Sequence, residues 1–101
     1  MNNTKWEEIR QGMLALGELS PQWRTKDSDS GHVSHWDGEW YYHFSEDGYD
    51  SIEWLEIATP SAEQRAAVAH LLRSVHVPGE VTDAGFRVYG YVSPGVGSEY
   101  L

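Results

Sequence analysis

Residues 36 to 57 read Trp-Asp-Gly-Glu-Trp-Tyr-Tyr-His-Phe-Ser-Glu-Asp-Gly-Tyr-Asp-Ser-Ile-Glu-Trp-Leu-Glu-Ile, two aromatic-rich runs on either side of an Asp47-Gly48 pair. Asp-Gly between alternating apolar runs signals a β-hairpin, because glycine takes the positive φ a tight turn demands. Trp40, Tyr42 and Phe44 alternate with Glu39, Tyr41 and His43, as in a strand with one buried face. The second run has apolar residues of both parities, Ile52 and Trp54, then Leu55 and Ile57, which predicts a central strand covered on both faces.

The flanks supply helices. Thr4-Lys5-Trp6-Glu7 has the form of a capping box, and Trp6, Ile9, Met13 and Leu16 follow at intervals of three and four, with Gly17 as a left-handed stop. Thr59-Pro60 opens a second helix with Thr59 as cap, Pro60 at the first helical position and Val68, Leu71, Leu72 and Val75 as its buried stripe. Between them, Gln22 to Lys26 alternates as a short strand with Trp23 inward, and Asp27 to Gly31 is a polar turn. His32 to Trp36 reads as a further strand or an irregular approach to the hairpin. Glu80 to Thr82 and Phe86 to Val92 flank Asp83-Ala84-Gly85 as a last hairpin, with Phe86, Val88 and Val92 on one face. The order predicts an α+β fold, two helices packed on one face of a four- to five-stranded, largely antiparallel sheet. Residues 1–92 form one domain and residues 93–101, rich in Gly and Pro, a flexible tail.

Charge narrows the choice of partner. Residues 27 to 64 hold ten acids and no Lys or Arg, whereas the rest of the chain carries seven bases and six acids, so the net charge of -9 belongs to the centre. Phosphate binding needs clustered Lys and Arg, so nucleic acid is excluded as a partner and a basic protein surface is expected. Crowded carboxylates without interleaved bases should repel one another, which predicts raised proton affinities, stability that rises as pH falls from about 7 toward about 5, and a melting temperature that climbs with salt. With no Cys, disulfides and thiolate chemistry are excluded. No apolar run reaches the roughly 18 residues of a membrane span and residues 1 to 20 lack the pattern of a secretory leader, so a cytoplasmic protein without membrane association is expected.

Trp6 in an opening helix, Ile52-Glu53-Trp54 before a helix and a closing Tyr89-Gly90-Tyr91 give a chain that, from about residue 4 to residue 92, resembles a family of small bacterial proteins of unknown function. The resemblance implies the fold and brings no activity, cofactor or catalytic residue. In size and acidity the chain is also similar, as a class, to the immunity proteins with which bacteria neutralise their own toxins.

Candidate chemistry is sparse. His32, His35, Asp37 and His43 have metal-ligand composition, but His32 and His35 have opposite parity on a strand and lack the helical spacing of zinc motifs. Asp37, Glu39, Glu53 and Glu56 could supply paired carboxyls for glycoside hydrolysis, which also requires a sugar-sized cleft; they read instead as solvated strand positions. No nucleophile elbow or phosphate loop is present, so no cofactor and no enzymatic activity are expected. The expected function is binding. Asp37, Glu39, Tyr41, His43, Tyr49, Glu53 and Glu56 form the expected interface, aromatic rings among carboxylates, for a basic protein such as a toxin. The alternative is a small metal- or ligand-binding enzyme with a His35, Asp37 and His43 site. The expected state is a monomer or a weak homodimer joined through Tyr89 and Tyr91 or an edge strand.

Overall fold

The computed structural model describes residues 1–91, 100 and 101. Helix α1 (Asn3–Ala15) starts from Asn2, whose side-chain oxygen accepts the Lys5 amide; Asn caps as well as the expected Thr4, and Glu7 is engaged elsewhere. Gly17 has φ of 59° and opens a 3₁₀ turn, Gly17–Leu19. Strand β1 (Gln22–Asp27) follows, then β2 (Ile52–Ala58), helix α2 (Ala62–Val75), β3 (Gly79–Val81) and β4 (Gly85–Tyr89). Helix α2 begins two residues later than its sequence suggests. Thr59 continues the sheet by donating its amide to Ala84 O, and Ser61 caps the helix at the Gln64 amide.

The sheet is antiparallel throughout, in the order β1-β2-β4-β3, so β2 is central as expected and the fold is α+β. Trp6, Ile9 and Met13 of α1 and Val68, Leu72 and Val75 of α2 are buried against Leu55, Ile57, Phe86 and Val88 of the sheet. Burying an aliphatic or aromatic side chain of this kind contributes roughly 1.5–3 kcal/mol, so these contacts hold both helices to the sheet. The helices close on each other at Gly12, where any Cβ would collide with the Leu71 side chain.

One expectation about β2 is corrected. Lys26 pairs with Trp54 but Asp27 pairs with Ile52, leaving Glu53 without a partner on β1. Such a bulge reverses the alternation, and Ile52 joins Leu55 and Ile57 in the core. Of the mixed parity read as burial on both faces, Ile52 is explained by this bulge and Trp54 lies on the other face; only one face is covered by helices.

The expected first hairpin strand is also absent. After β1 the chain turns at Asp27, whose Oδ1 accepts the Asp29 and Ser30 amides, and at Gly31, with φ of 75°. It then returns beside β1 as a strap with single bridges from Val33 to Lys26 and from Asp37 to Trp23. Residues 40–47 wind through turns instead of extending. Val92 and residues 93–99 of the expected tail lie outside the described residues; Tyr100 bridges to Pro78 and Leu101 donates its amide to Val77 O at 3.1 Å.

Candidate functional site

The loop from Asp37 to Tyr49 is tied down residue by residue. Asp37 and Trp23 exchange two backbone hydrogen bonds of 2.8 Å, which fixes where the loop leaves β1. Asp37 Oδ1 accepts the Glu39 amide at 2.8 Å, and the Glu39 carboxylate accepts the amides of Tyr42 and His43, the latter at 2.6 Å. This is helix-cap geometry, which directs the next residues into turns and explains why no strand forms. Trp40 and Phe44, four residues apart, therefore both point inward. Their rings pack 4.8 Å apart, centroid to centroid, in a cluster with Trp23, Trp6 and Tyr49. Trp40 is 1% exposed and donates its indole N–H to Pro21 O at 2.8 Å; Trp23 donates to Glu39 O at 3.0 Å. Arg10 on α1 donates to Tyr41 O at 2.8 Å.

Held from inside in this way, the loop turns Tyr41 and Tyr42 outward, 75% and 58% exposed. Tyr42 was expected to share the inward face of Trp40 on a strand; the turn places it with Tyr41 instead. The same loop carries Asp37, Glu39, His43, Glu46 and Asp47, most of them exposed. His43 Nδ1 lies 2.8 Å from Asp37 Oδ2 and 3.9 Å from Glu39 Oε2. The hydrogen bond to Asp37 raises the His43 pKa above its ordinary value, and the His43 and Tyr42 amides hold that of Glu39 below the usual carboxylate range.

An Asp–His pair can orient and charge an imidazole, and covalent catalysis of the Ser–His type would place a hydroxyl within hydrogen-bond reach of that imidazole. Among the described residues no hydroxyl hydrogen-bonds to His43, and no hydrogen bond links His35 to the pair. Among them, too, no group of three His, Asp or Glu side chains is placed to hold a metal ion. The cleft beside the loop, bordered by Lys26, His43 and Asp47, has a volume of about 180 Å³, below the roughly 300–1,000 Å³ that encloses a small molecule.

Three expected site residues sit elsewhere. Tyr49 is 9% exposed, packs on Trp6 and Phe44, and donates its hydroxyl to Glu7. Burial and this bond to a carboxylate push the phenol up to about 12, while Arg10 and Tyr49 hold Glu7 at about 2. Glu56 is also 9% exposed and lies on the sheet face opposite the helices, gripped by Arg24 Nε and Arg87 at 2.7 Å each. Glu53, at the bulge, is half-exposed and pairs with Lys26 at 3.1 Å. The structure thus brings Asp37, Glu39, Tyr41 and His43 together and sets Tyr49, Glu53 and Glu56 apart.

At part of the acidic segment the expected carboxylate repulsion is relieved by partners. Cross-strand register delivers Arg24 and Lys26 from β1 and Arg87 from β4 onto acids of β2. Burial pushes Glu56 up, but hydrogen bonds from Arg87 and Arg24 more than reverse this and its pKa is lowered. The Ser30 and Asp29 amides lower that of Asp27. These acids are individually paired.

Beyond the geometry, no curated protein and no solved structure matches the chain. Among the described residues no helix is long and apolar enough to cross a membrane. A family model does match, over residues 1–95, and the chain accordingly belongs to the family of unknown function DUF6678.

Proposed function

We propose that the protein is a non-enzymatic binding module whose Asp37–Asp47 loop docks on a basic surface of another protein. The observation that carries this reading is the pairing of two exposed rings, Tyr41 and Tyr42, with a loop backbone fixed by Trp40, Phe44, Trp23 and Arg10. Aromatic side chains on a preorganised backbone contribute affinity without a large ordering cost, and surrounding carboxylates speed encounter with a basic partner. A toxin whose basic surface handles nucleic acid fits this chemistry, which makes the protein an inhibitor of immunity type acting in the cytoplasm. Glu53 lies outside this loop and contributes to the acidic surface from the sheet.

The structure also selects the residues for the test. Charge reversal of Glu39 would remove the amide cap of the loop, so its effect on binding and on folding would be confounded. Tyr41, Tyr42 and Glu46 are exposed, and none of their ring or carboxylate groups makes a hydrogen bond among the described residues. A partner captured by the wild type from cell extract and identified by mass spectrometry should be lost with Tyr41→Ala/Tyr42→Ala and weakened by Glu46→Lys. Undiminished capture by both variants would remove the loop from the interface.

A further inference from the structure

The face of the sheet turned away from the helices is a second surface, and its charges follow a pattern. Arg24 on β1 pairs with Glu56 on β2, Glu56 with Arg87 on β4, and Arg87 with Glu80 on β3, so one row across all four strands reads plus, minus, plus, minus. The Trp36 ring lies 4.6 Å from the Arg24 guanidinium, the Trp54 ring 4.8 Å from that of Arg87, and Tyr89 donates to Glu80 at 2.9 Å. In the next row Trp54 is paired with Tyr89, and on the other side Ala58 and Gly85 leave the surface low. Trp36 is 38% exposed although it is one of the largest apolar side chains in the chain. Among the described residues no element covers this face.

We propose that this face docks a second copy of the chain. An alternating row of four charges changes sign when reversed end for end. A twofold axis parallel to the strands, midway between β2 and β4, reverses it in this way: Arg24 of one copy meets Glu80 of the other, and Glu56 meets Arg87. The same operation sets Trp54 against Tyr89, a favourable aromatic contact. A twofold along the row would instead oppose like charges, so the pattern selects one axis and an aligned packing of the two sheets. The row is neutral within a molecule of net charge -9, so it is a place where two acidic copies can meet without opposing their excess charge. Four strands about 4.8 Å apart and five residues at about 3.4 Å give a face of roughly 19 by 17 Å, or about 650 Å² over the two copies, smaller than a standard specific interface, so the dimer is a weak and transient one.

Sedimentation equilibrium of the purified protein from micromolar to millimolar concentration tests this without any partner of the loop. The wild type should pass from monomer to dimer. Glu80→Arg, on an exposed edge position, should keep its circular dichroism and melting temperature but weaken dimerisation about a hundredfold, because it opposes an arginine to Arg24 twice across the axis. Trp54→Ala, which removes the ring facing Tyr89, should also dissociate the dimer. Mixing Glu80→Arg with a folded Arg24→Glu variant should restore association as a heterodimer, since each introduced charge then meets its opposite. A wild type that stays monomeric throughout, a Glu80→Arg variant that dimerises like the wild type, or a Trp54→Ala variant that does so overturns the proposal.

Discussion

Truncating Trp40 and Tyr42 separately distinguishes the loop observed from the strand that alternation suggests. On a strand with one buried face the two rings would lie side by side and cost similar amounts to remove. In the structure Trp40 is 1% exposed, in contact with Trp23 and Phe44, whereas Tyr42 is 58% exposed. Trp40→Ala leaves a cavity among aromatic rings, which costs about 3–5 kcal/mol, and strips Pro21 O of its donor, which adds about 1 kcal/mol. At about 4–8 °C per kcal/mol for a domain of this size, the melting temperature should fall by at least about 15 °C. Tyr42→Ala removes a ring standing in solvent and should change stability by no more than about 0.5 kcal/mol. Urea titration followed by tryptophan and far-ultraviolet signals reads both, with Trp40→Phe as an intermediate case that keeps ring packing and loses the indole donor. Equal losses for Trp40→Ala and Tyr42→Ala would refute the turn geometry, and a Trp40→Ala loss below about 1 kcal/mol would show that the loop is not part of the core.

Asp37→Asn should lower the His43 pKa measured by NMR, because the hydrogen-bonded carboxylate that raises it becomes neutral; an unchanged value would place the two side chains apart. Stability should fall with acid once the pH drops below about 4. Glu7, held at about 2, and Glu56, Asp27 and Glu39, all lowered, stabilise the fold above the ordinary carboxylate range and lose that contribution as pH falls through their folded values. His43 has the opposite sign: its raised pKa gives a contribution complete below about 6.5 and lost as pH climbs through the folded value. Thermal melts should therefore show a small gain between pH 7 and 5.5 that vanishes in Asp37→Asn, then a steep loss below about pH 4, and continued stabilisation at that point would contradict the ion pairs. Gly90→Ala should be severely destabilising, since its Cβ would overlap Ile52 O, whereas Gly38→Ala meets open space and should be tolerated; comparable melting temperatures for the two would contradict the close approach of β2 and the end of β4.

Both helices, the central position of β2 and the inward Trp23 were legible because local signals and tertiary structure agree at those places. Apolar residues at spacings of three and four sit beside capping residues, and β2 carries a dense apolar run. Phase was harder to read. Trp40, Tyr42 and Phe44 satisfy an alternating pattern, but Trp40 and Phe44 alone satisfy a spacing of four, and what decides between them is the Glu39 carboxylate turning back to two amides. A bulge of one residue at Glu53 likewise moved Ile52 across the sheet, and no local residue type announces it. The ion pairs were invisible for a different reason. An acidic segment looks unpaired along the chain until strand register sets Arg24, Lys26 and Arg87 beside it. Tyr49 was read as an interface residue because its partner, Glu7, is far away in the sequence. The Ile52-Glu53-Trp54 and Tyr89-Gly90-Tyr91 stretches meet in space: the Gly90 amide donates to Glu53 O at 2.8 Å, and only a glycine fits against Ile52 there.

The proposed role of the loop as a docking surface is tested most directly by the affinity of a captured and purified partner for the wild type and for the Tyr41→Ala/Tyr42→Ala variant, measured by calorimetry with melting temperatures in parallel. Two central aromatic contacts of about 2 kcal/mol each predict a loss of at least about a hundredfold in Kd with the fold unchanged. Equal affinities for the two proteins, both folded, would contradict the account.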